Sequence, residues 1–358
     1  MNYAVIMAGG TGTRFWPVSR THLPKQLLAI GADSTLLEQT VDRMTALAPI
    51  ERVLVVTGDA IVEQTAATLP ELPRENLISE PLRRNTAPCA AVAAKVLVDR
   101  DPDAVMALLP ADHVILKEDA FRRILGAAMG VAAREDVLIT LGITPTHPET
   151  GYGYIEMEKR LGDADGCPYH DVAAFHEKPD QATAERYLQD GRFLWNAGIF
   201  VFGAATFLEA LRKTLPDLYD AVQAIDGAAP PAELKRVIDA AYPGLTKISI
   251  DVGVMEKADN LLVFPADIGW SDVGSWTALR ELHPADEAGN VAQGRYIAMT
   301  GSRENTIYAK DGVVVTIGVD NLIVVHTPDA TLVARRDDAQ AVKKIFDELE
   351  KRGWREFV

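Results

Sequence analysis

Four strand-like runs, apolar nearly throughout, dominate the first half of the chain, at 3–8, 52–57, 104–109 and 137–142. Helical patterns accompany them at about 34–47, 59–68, 86–100 and 118–133. A strand that is apolar on both faces cannot lie at a solvated surface, and strands separated by helices pair in parallel. The expectation is an α/β domain of Rossmann-like form, with a mostly parallel central sheet covered by helices on both faces. Ligands of such sheets sit beyond the carboxyl ends of the strands. Two polar segments fall at such ends: a glycine-rich stretch after the first run, and "PADH" (110–113) after the third. They are expected to meet in one crevice.

From about 151 the texture changes. "GYGYIEME", "DVAAFHEKP" and "WNAGIFVF" read as short β pieces, with a helix at about 180–190 among them. A helical stretch over about 204–240 follows, then the strand-like "LLVFPADIGW" and a short helix to about 282. Beyond "HPADEAGN", the segments "NTIYAKD", "GVVVTIGVD", "NLIVVHTP" and "ATLVARR" read as four strands, and a helix at about 337–352 closes the chain. The expected division is a large domain over 1–285 and a small β-rich domain over 286–358 that ends in a helix. The even strand spacing suits a solenoid, a left-handed β-helix among its forms, although no strict repeat period fixes the geometry.

Charge excludes one class of partner. With 51 acids against 36 bases the formal net charge is −15, a poor match to a nucleic-acid backbone, which needs a basic surface. A small anion is a different matter, because residues 14–25 carry Arg14, Arg20 and Lys25 with no acid among them. No apolar run approaches the roughly 18 residues of a membrane span. Gly9-Gly10 interrupts the first apolar stretch too early for a cleavable leader. Cys89 and Cys167, the only cysteines, argue against a disulfide scaffold. A cytoplasmic enzyme with no membrane or nucleic-acid partner is the simplest expectation.

The glycine-rich stretch is "AGGTGTRFWPVSRTHLPKQ" (8–26). It is not a Walker loop, because Gly12 is followed by Thr13-Arg14 rather than by Lys and Ser or Thr. Nor is it a dinucleotide fingerprint: counted from Gly10, the final small position is Phe15. What remains is a turn whose backbone N–H groups, at Gly9, Gly10, Gly12 and Thr13, can face an anion. Arg14 and Lys25 supply positive charge there, and Pro17 and Pro24 stiffen the path between them. A plain tight turn with two solvated bases is the alternative.

This stretch resembles the signature loop of the sugar-1-phosphate nucleotidylyltransferases, and "RFWPVSR" resembles their mannose-1-phosphate guanylyltransferase branch. Further segments resemble the family in the same order: "EPLRRNTAP" (80–88), "LPADHVI" (109–115), "PETGYGYIE" (148–156), "FHEKPD" (175–180), "FLWNAGIFVF" (193–202), "SIDVGVMEKA" (249–258) and "GWSDVGSW" (269–276). The resemblance implies a nucleotidyltransferase domain that moves GMP from GTP to mannose 1-phosphate, giving GDP-mannose and pyrophosphate with Mg²⁺. It also implies roles for particular residues. Arg14 would hold the β and γ phosphates and Lys25 would neutralise charge near the α-phosphate, with Asp112 completing the catalytic set. A guanidinium fork and a compact ammonium are not interchangeable in those places. Asp112 and Asp272 would carry the metal, since Mg²⁺ prefers a few carboxylates plus substrate phosphates; the neighbouring His113 is left out because Mg²⁺ disfavours imidazole. Asn85 and Thr86 would contact the purine, and Gly153, Glu156, Lys178 and Asn196 the sugar phosphate.

Plainer roles compete at several positions. Asp112 and Asp272 could cap a following helix or turn, and Thr86 could cap a helix with Pro88 in its first turn. Lys178 could be a solvated turn residue, and Asn196 could serve only local backbone. Gly253 stands where the family is expected to carry a different residue, a matter of packing more than of chemistry. Larger relatives add a cupin-type isomerase domain; here only the transferase is expected, and a homodimer through the β tail is left open. The rival readings are another sugar and base, such as glucose 1-phosphate with UTP or dTTP, or a non-catalytic nucleotide-sugar binding protein.

Overall fold

The computed structural model describes residues 1–10 and 12–358. By contacts the chain forms two compact units. One comprises Met1–Gly9, Thr40–Ala111 and Ile115–Trp270; the other gathers Gly10–Gln39, Asp112–Val114 and Ser271–Val358.

The first unit contains a nine-stranded sheet. Its strands are β1 (Asn2–Ala8), β2 (Val53–Gly58), β3 (Leu77–Glu80), β4 (Val105–Pro110), β5 (Leu138–Ile143), β6 (Tyr154–Ala164), β7 (Cys167–His176), β8 (Phe193–Gly203) and β9 (Leu261–Pro265). They lie in the order β3-β2-β1-β4-β8-β5-β9-β7-β6. The first four are parallel, with Ile6 opposite both Val55 and Leu109. β9 runs parallel to β5. β8 enters antiparallel between β4 and β5, and the β6–β7 hairpin is antiparallel as well. The sheet is thus mostly parallel, as expected, with antiparallel insertions that the apolar runs did not announce.

Burial explains the parallel part. Tyr3 and Val5, Leu54 and Val56, and Met106 and Leu108 pack in one cluster with Ala90–Ala94 of the helix Thr86–Arg100. Their neighbours Ala4, Ile6, Val53, Val55, Ala107 and Leu109 point the other way and are just as buried. Alternate residues of a strand face opposite sides, so both faces are covered and the runs must be apolar throughout. The expected helical stretch over 204–240 divides into Ala204–Thr214, Pro216–Gln223 and Pro231–Ala241. Proline lacks the N–H that would continue a helix but suits the first position of a new one, where Pro216 and Pro231 stand.

In the second unit, β10 (Val291–Ala298), β11 (Thr306–Thr316) and β12 (Leu322–His326) are consecutive and parallel, and β13 (Thr331–Arg335) returns antiparallel to β12. "NTIYAKD" and "GVVVTIGVD", expected as two strands, form the single β11, whose register against β10 shifts between Gly294 and Tyr296. Parallel strands joined by short turns make each stretch of chain stack on the one before, which is solenoid geometry. Two buried asparagines hold successive turns together. Asn305 donates to the side-chain oxygen of Asn290 at 3.0 Å and to Val319 O at 3.1 Å, while its own oxygen accepts from Leu322 N at 3.0 Å. The terminal helix begins as a tighter 3₁₀ turn over Arg336–Lys343 before becoming α-helical at Lys344–Arg352. Phe15, Trp16, Leu28 and Ile30, from the glycine-loop segment, share a core with Trp276, Tyr308, Ile323, Leu332 and Leu349 of this tail.

Replacing Asn305 removes partners from buried backbone groups, each of which costs about 1–3 kcal/mol when left unmade. Asn305→Ala is therefore expected to lower the urea-unfolding free energy of the full chain by about that amount. A loss under about 0.5 kcal/mol would show that the ladder does not hold the turns.

Candidate active site

The second unit builds its cluster from three distant segments. Gly12 takes φ +61° and its carbonyl accepts Phe15 N at 2.9 Å, opening the 3₁₀ turn Thr13–Phe15. A Cβ at Gly12 would stand 2.6 Å from the backbone nitrogen of Lys25, so only glycine lets the chain double back there. Gly10 and Thr13 flank the same turn. Phe15 and Trp16 are buried beside Trp276, which donates from Nε1 to Trp16 O at 3.0 Å and stacks edge-on with Phe15 at 5.0 Å. Arg14 stands exposed next to these anchors, and among the described residues its guanidinium has no hydrogen-bond or ion-pair partner.

Lys25 is the buried centre of this cluster, only 6% exposed. Its ammonium pairs with Asp112 Oδ2 at 2.9 Å and donates to Asp272 O at 2.5 Å. Burial works to raise the Asp112 carboxyl's pKa, but Lys25, followed by His113, outweighs it and holds the group below the usual carboxylate range. Asp112 is therefore ionised at neutral pH. Asp272 precedes Val273, a fully buried residue at φ 47°. A β-branched side chain rarely takes that left-handed conformation, and holding it there costs roughly 1–3 kcal/mol. The structure thus brings together Gly12, Lys25, Asp112 and Asp272. Carboxylate and carbonyl oxygens make up this donor set, which suits Mg²⁺. No group of three or more His, Cys, Asp or Glu gathers among the described residues, so an ion here would complete its shell with phosphate oxygens and water.

The first unit carries the remaining expected residues. Asn85, at φ 69°, caps the helix Thr86–Arg100 by accepting Thr86 N at 2.9 Å. Thr86 Oγ1 accepts Ile250 N at 2.9 Å, while Ala87 N reaches Ile248 O and Ile248 N reaches Arg84 O. The capping role weighed for Thr86 therefore takes a long-range form: its hydroxyl anchors 248–250. Gly153 O accepts Asn196 N at 2.8 Å, and a Cβ at Gly153 would stand 2.8 Å from Glu177 Oε2. Glu177 pairs with Lys178, which is held at φ 48°. The Asn196 oxygen accepts from Thr140 Oγ1 at 3.2 Å and Gly198 N at 3.0 Å, and its Nδ2 donates to Asp251 Oδ1 at 2.8 Å. Gly153, Lys178 and Asn196 thus converge. Glu156 does not join them: it pairs with Arg192 at 2.8 Å and lies 3.9 Å from His176.

Three acids escaped the sequence reading: Glu80, Glu177 and Asp251. Glu80 ends β3 and is 9% exposed, with one oxygen accepting the Tyr242 hydroxyl and the other turned to Gly9, 3.7 Å from where a Cβ would stand. No lysine or arginine among the described residues is within ion-pair reach of it. Burial pushes its carboxyl up to about 7, with the Tyr242 bond pulling the other way. Burial and then Glu80's charge also raise the Tyr242 hydroxyl and the Cys89 thiol. One signal was available: Glu80 follows "NLIS" at the carboxyl end of a strand, where ligands of such sheets sit.

Comparison with known proteins adds independent findings. The Nucleotidyl transferase family model matches residues 3–289, and a MannoseP isomerase/GMP-like beta-helix domain model matches 294–349. The mannose-1-phosphate guanylyltransferase of Escherichia coli (strain K12) is 41% identical over 98% of this chain and 74% of its own length. The alginate biosynthesis protein AlgA of Pseudomonas putida is 38% identical over 99% of this chain and 72% of its own. A crystal structure described as a mannose-1-phosphate geranyltransferase from Thermus thermophilus superposes with TM-score 0.87 at 36% identity, covering 98% of this chain and 99% of that one.

Glu80 yields a prediction with a definite sign. Its folded-state pKa lies above that of an unfolded glutamate, so the unfolded chain loses the proton first as pH rises. Stability should fall between about pH 4.5 and pH 7 and stay lower above that, by up to about 3 kcal/mol. Glu80→Gln keeps an acceptor for Tyr242 and removes the effect. Its melting temperature should exceed that of the wild type at pH 8 and approach it at pH 5; an equal difference at both pH values would refute the assignment.

Proposed function

Because this chain belongs to the nucleotidyl transferase family, we propose that it is a guanylyltransferase: it moves GMP from GTP to α-D-mannose 1-phosphate, giving GDP-mannose and pyrophosphate. Relatives whose names state that activity match nearly the whole chain and support this reading. The structural observation that carries it is the buried Lys25 ammonium shared by Asp112 and Asp272 behind the glycine turn.

In this reaction a phosphate oxygen of the sugar phosphate attacks the α-phosphorus of GTP and pyrophosphate leaves. The protein's task is mostly to place groups and to offset charge. Arg14, exposed and unpartnered among the described residues, would take the β and γ phosphates bidentately. The backbone N–H groups of Gly9, Gly10, Gly12 and Thr13 would cradle the same chain of phosphates. Lys25 would neutralise charge near the α-phosphate, while keeping Asp112 ionised and in place. A divalent metal is typical of this family; bound Mg²⁺ would act as a Lewis acid drawing charge from the triphosphate, held by Asp112 and Asp272. Asn85 and Thr86 are assigned to the purine pocket, Thr86 through the segment it anchors. Glu80 offers acceptor oxygens and no donor when ionised, the complement of the N1–H and N2–H₂ edge of guanine. Lys178 would hold the sugar phosphate with Gly153 and Asn196 beside it, and Glu156 would act from further along β6.

Several broader assignments go with this reading. The division into 1–285 and 286–358 is supported by two family models that meet between 289 and 294. No helix among the described residues is long and apolar enough to cross a membrane, in keeping with a cytoplasmic enzyme. The net charge of −15 favours no nucleic-acid partner. Exposed Ile297, Val313, Val315 and Ile317 on β10, β11 and the turn after β11 favour a homodimer.

Pyrophosphate release across a matrix of nucleoside triphosphates and sugar 1-phosphates, with and without Mg²⁺, tests the reading. GTP with mannose 1-phosphate should outperform every other pair and should require the metal. Lys25→Ala and Asp112→Ala should each lower kcat by about 100-fold or more in a chain that still melts cooperatively. Near-normal turnover in either variant would remove that residue from the machinery.

A further inference from the structure

The geometry points to Asp251 as a specificity-determining residue: we propose that its carboxylate accepts a hydrogen bond from a ring hydroxyl of the sugar phosphate held at Lys178. This rests on the sugar-phosphate reading of that cluster. Asp251 is half-buried, and only one of its oxygens is engaged by a neighbouring side chain among the described residues, Oδ1 by Asn196 Nδ2 at 2.8 Å. No lysine or arginine among the described residues lies within ion-pair distance of it. Its environment opposes its charge: burial and then the nearby Glu177 raise its pKa, while its own backbone, Asn196 and Lys178 work against them.

Among the described residues, Asn196 is the one side chain seen to donate to this carboxylate, and no cation pairs with it. A phosphate could not supply further donors, because an anion beside Glu177 and Asp251 would be repelled. A neutral polyol could, since each hydroxyl donates one hydrogen bond without bringing charge. The cluster therefore has a polarity. Lys178, whose ammonium also reaches Glu177, marks the end for the phosphate, and Asp251, which no cation pairs among the described residues, marks the end for the hydroxyls.

The surroundings hold Asp251 in this attitude from two sides. Asn196 spends its oxygen on Thr140 and Gly198, so its amide can only present N–H to Asp251. Thr86 Oγ1 accepts Ile250 N and Ser249 Oγ accepts Val252 N, fixing the short helical turn Ile250–Gly253 on which Asp251 stands. Asn196 thus has its oxygen committed and one amide N–H on Asp251 Oδ1, which leaves Asp251 as the acceptor that it orients. Sites built to hydrogen-bond a hydroxyl discriminate strongly against analogues that lack it, because the site's own polar group is then left unpaired.

Asp251→Asn tests this in the full-length enzyme. The substitution is isosteric, still accepts from Asn196, and replaces the second acceptor oxygen with a donor. The variant should melt at or above the wild-type temperature, because a charge opposed by its environment is removed. Its KM for mannose 1-phosphate should rise about 10- to 100-fold, with KM for GTP unchanged and kcat reduced less than KM is raised. Repeating the measurement with the 2-, 3-, 4- and 6-deoxy analogues of mannose 1-phosphate separates contact from architecture: for one analogue the two enzymes should converge. A penalty identical for all analogues would make Asp251 purely structural and overturn the proposal. So would an unchanged KM for mannose 1-phosphate in a variant of an active wild type. A wild type that uses no sugar 1-phosphate would overturn both this assignment and the activity on which it rests.

Discussion

One buried ammonium organises the second unit. Removing a lysine head group from water is costly unless a charge and further hydrogen bonds replace the lost hydration. Asp112 and the carbonyl of Asp272 provide that replacement, each from a different segment. The constraint propagates outward. The chain must double back tightly enough at Gly12 that no Cβ fits against Lys25, and Phe15 and Trp16 must anchor under Trp276 to hold the turn. Asp272 must be delivered by a loop in which Val273 takes an unfavourable backbone conformation. Among the described residues, Arg14 is left as a basic group of the turn that the fold does not consume.

The first unit shows the opposite arrangement. Glu80 and Asp251 are acids that the fold has not matched with a cation among the described residues, and burial raises the pKa of both. Groups of this kind lower stability and are retained where a ligand completes them. The backbone points the same way. Of the first unit's non-glycine residues at positive φ, Asn85 and Lys178 stand in segments assigned to a substrate, while Asp165 lies in the turn between β6 and β7. Strain of this sort persists only where surrounding structure enforces it, and it collects at binding sites.

How much of this was legible in the sequence varied with the kind of signal. The apolar runs located β1, β2, β4 and β5 to within a residue, because strands buried on both faces leave no other pattern. β8 was found as a strand, but its antiparallel place between β4 and β5 was not, since pairing depends on partners far away in the chain. Lys25, Asp112 and Asp272 were singled out through their motifs, and the structure gathers them on one ammonium. Glu156 was singled out in the same way and instead pairs with Arg192 and His176 near the sheet edge. Glu177 and Asp251 passed unnoticed because an acid next to a lysine, or at the start of a helical turn, reads as ordinary surface chemistry.

By itself, the sequence determined the class of fold and the short set of segments from which a site could be built. Periodicity, glycine placement and residue type are local properties, and they sufficed for that. Only the tertiary structure decided which side chains are already spent and which remain available. Asn196 stands in a motif of ligand residues, and the structure adds that its oxygen is committed to Thr140 and Gly198. Asp251 looked like any surface acid until Asn196 was seen to aim it. The reason is physical: a polar group's capacity for a ligand is whatever its neighbours leave unsatisfied, and those neighbours lie far away along the chain.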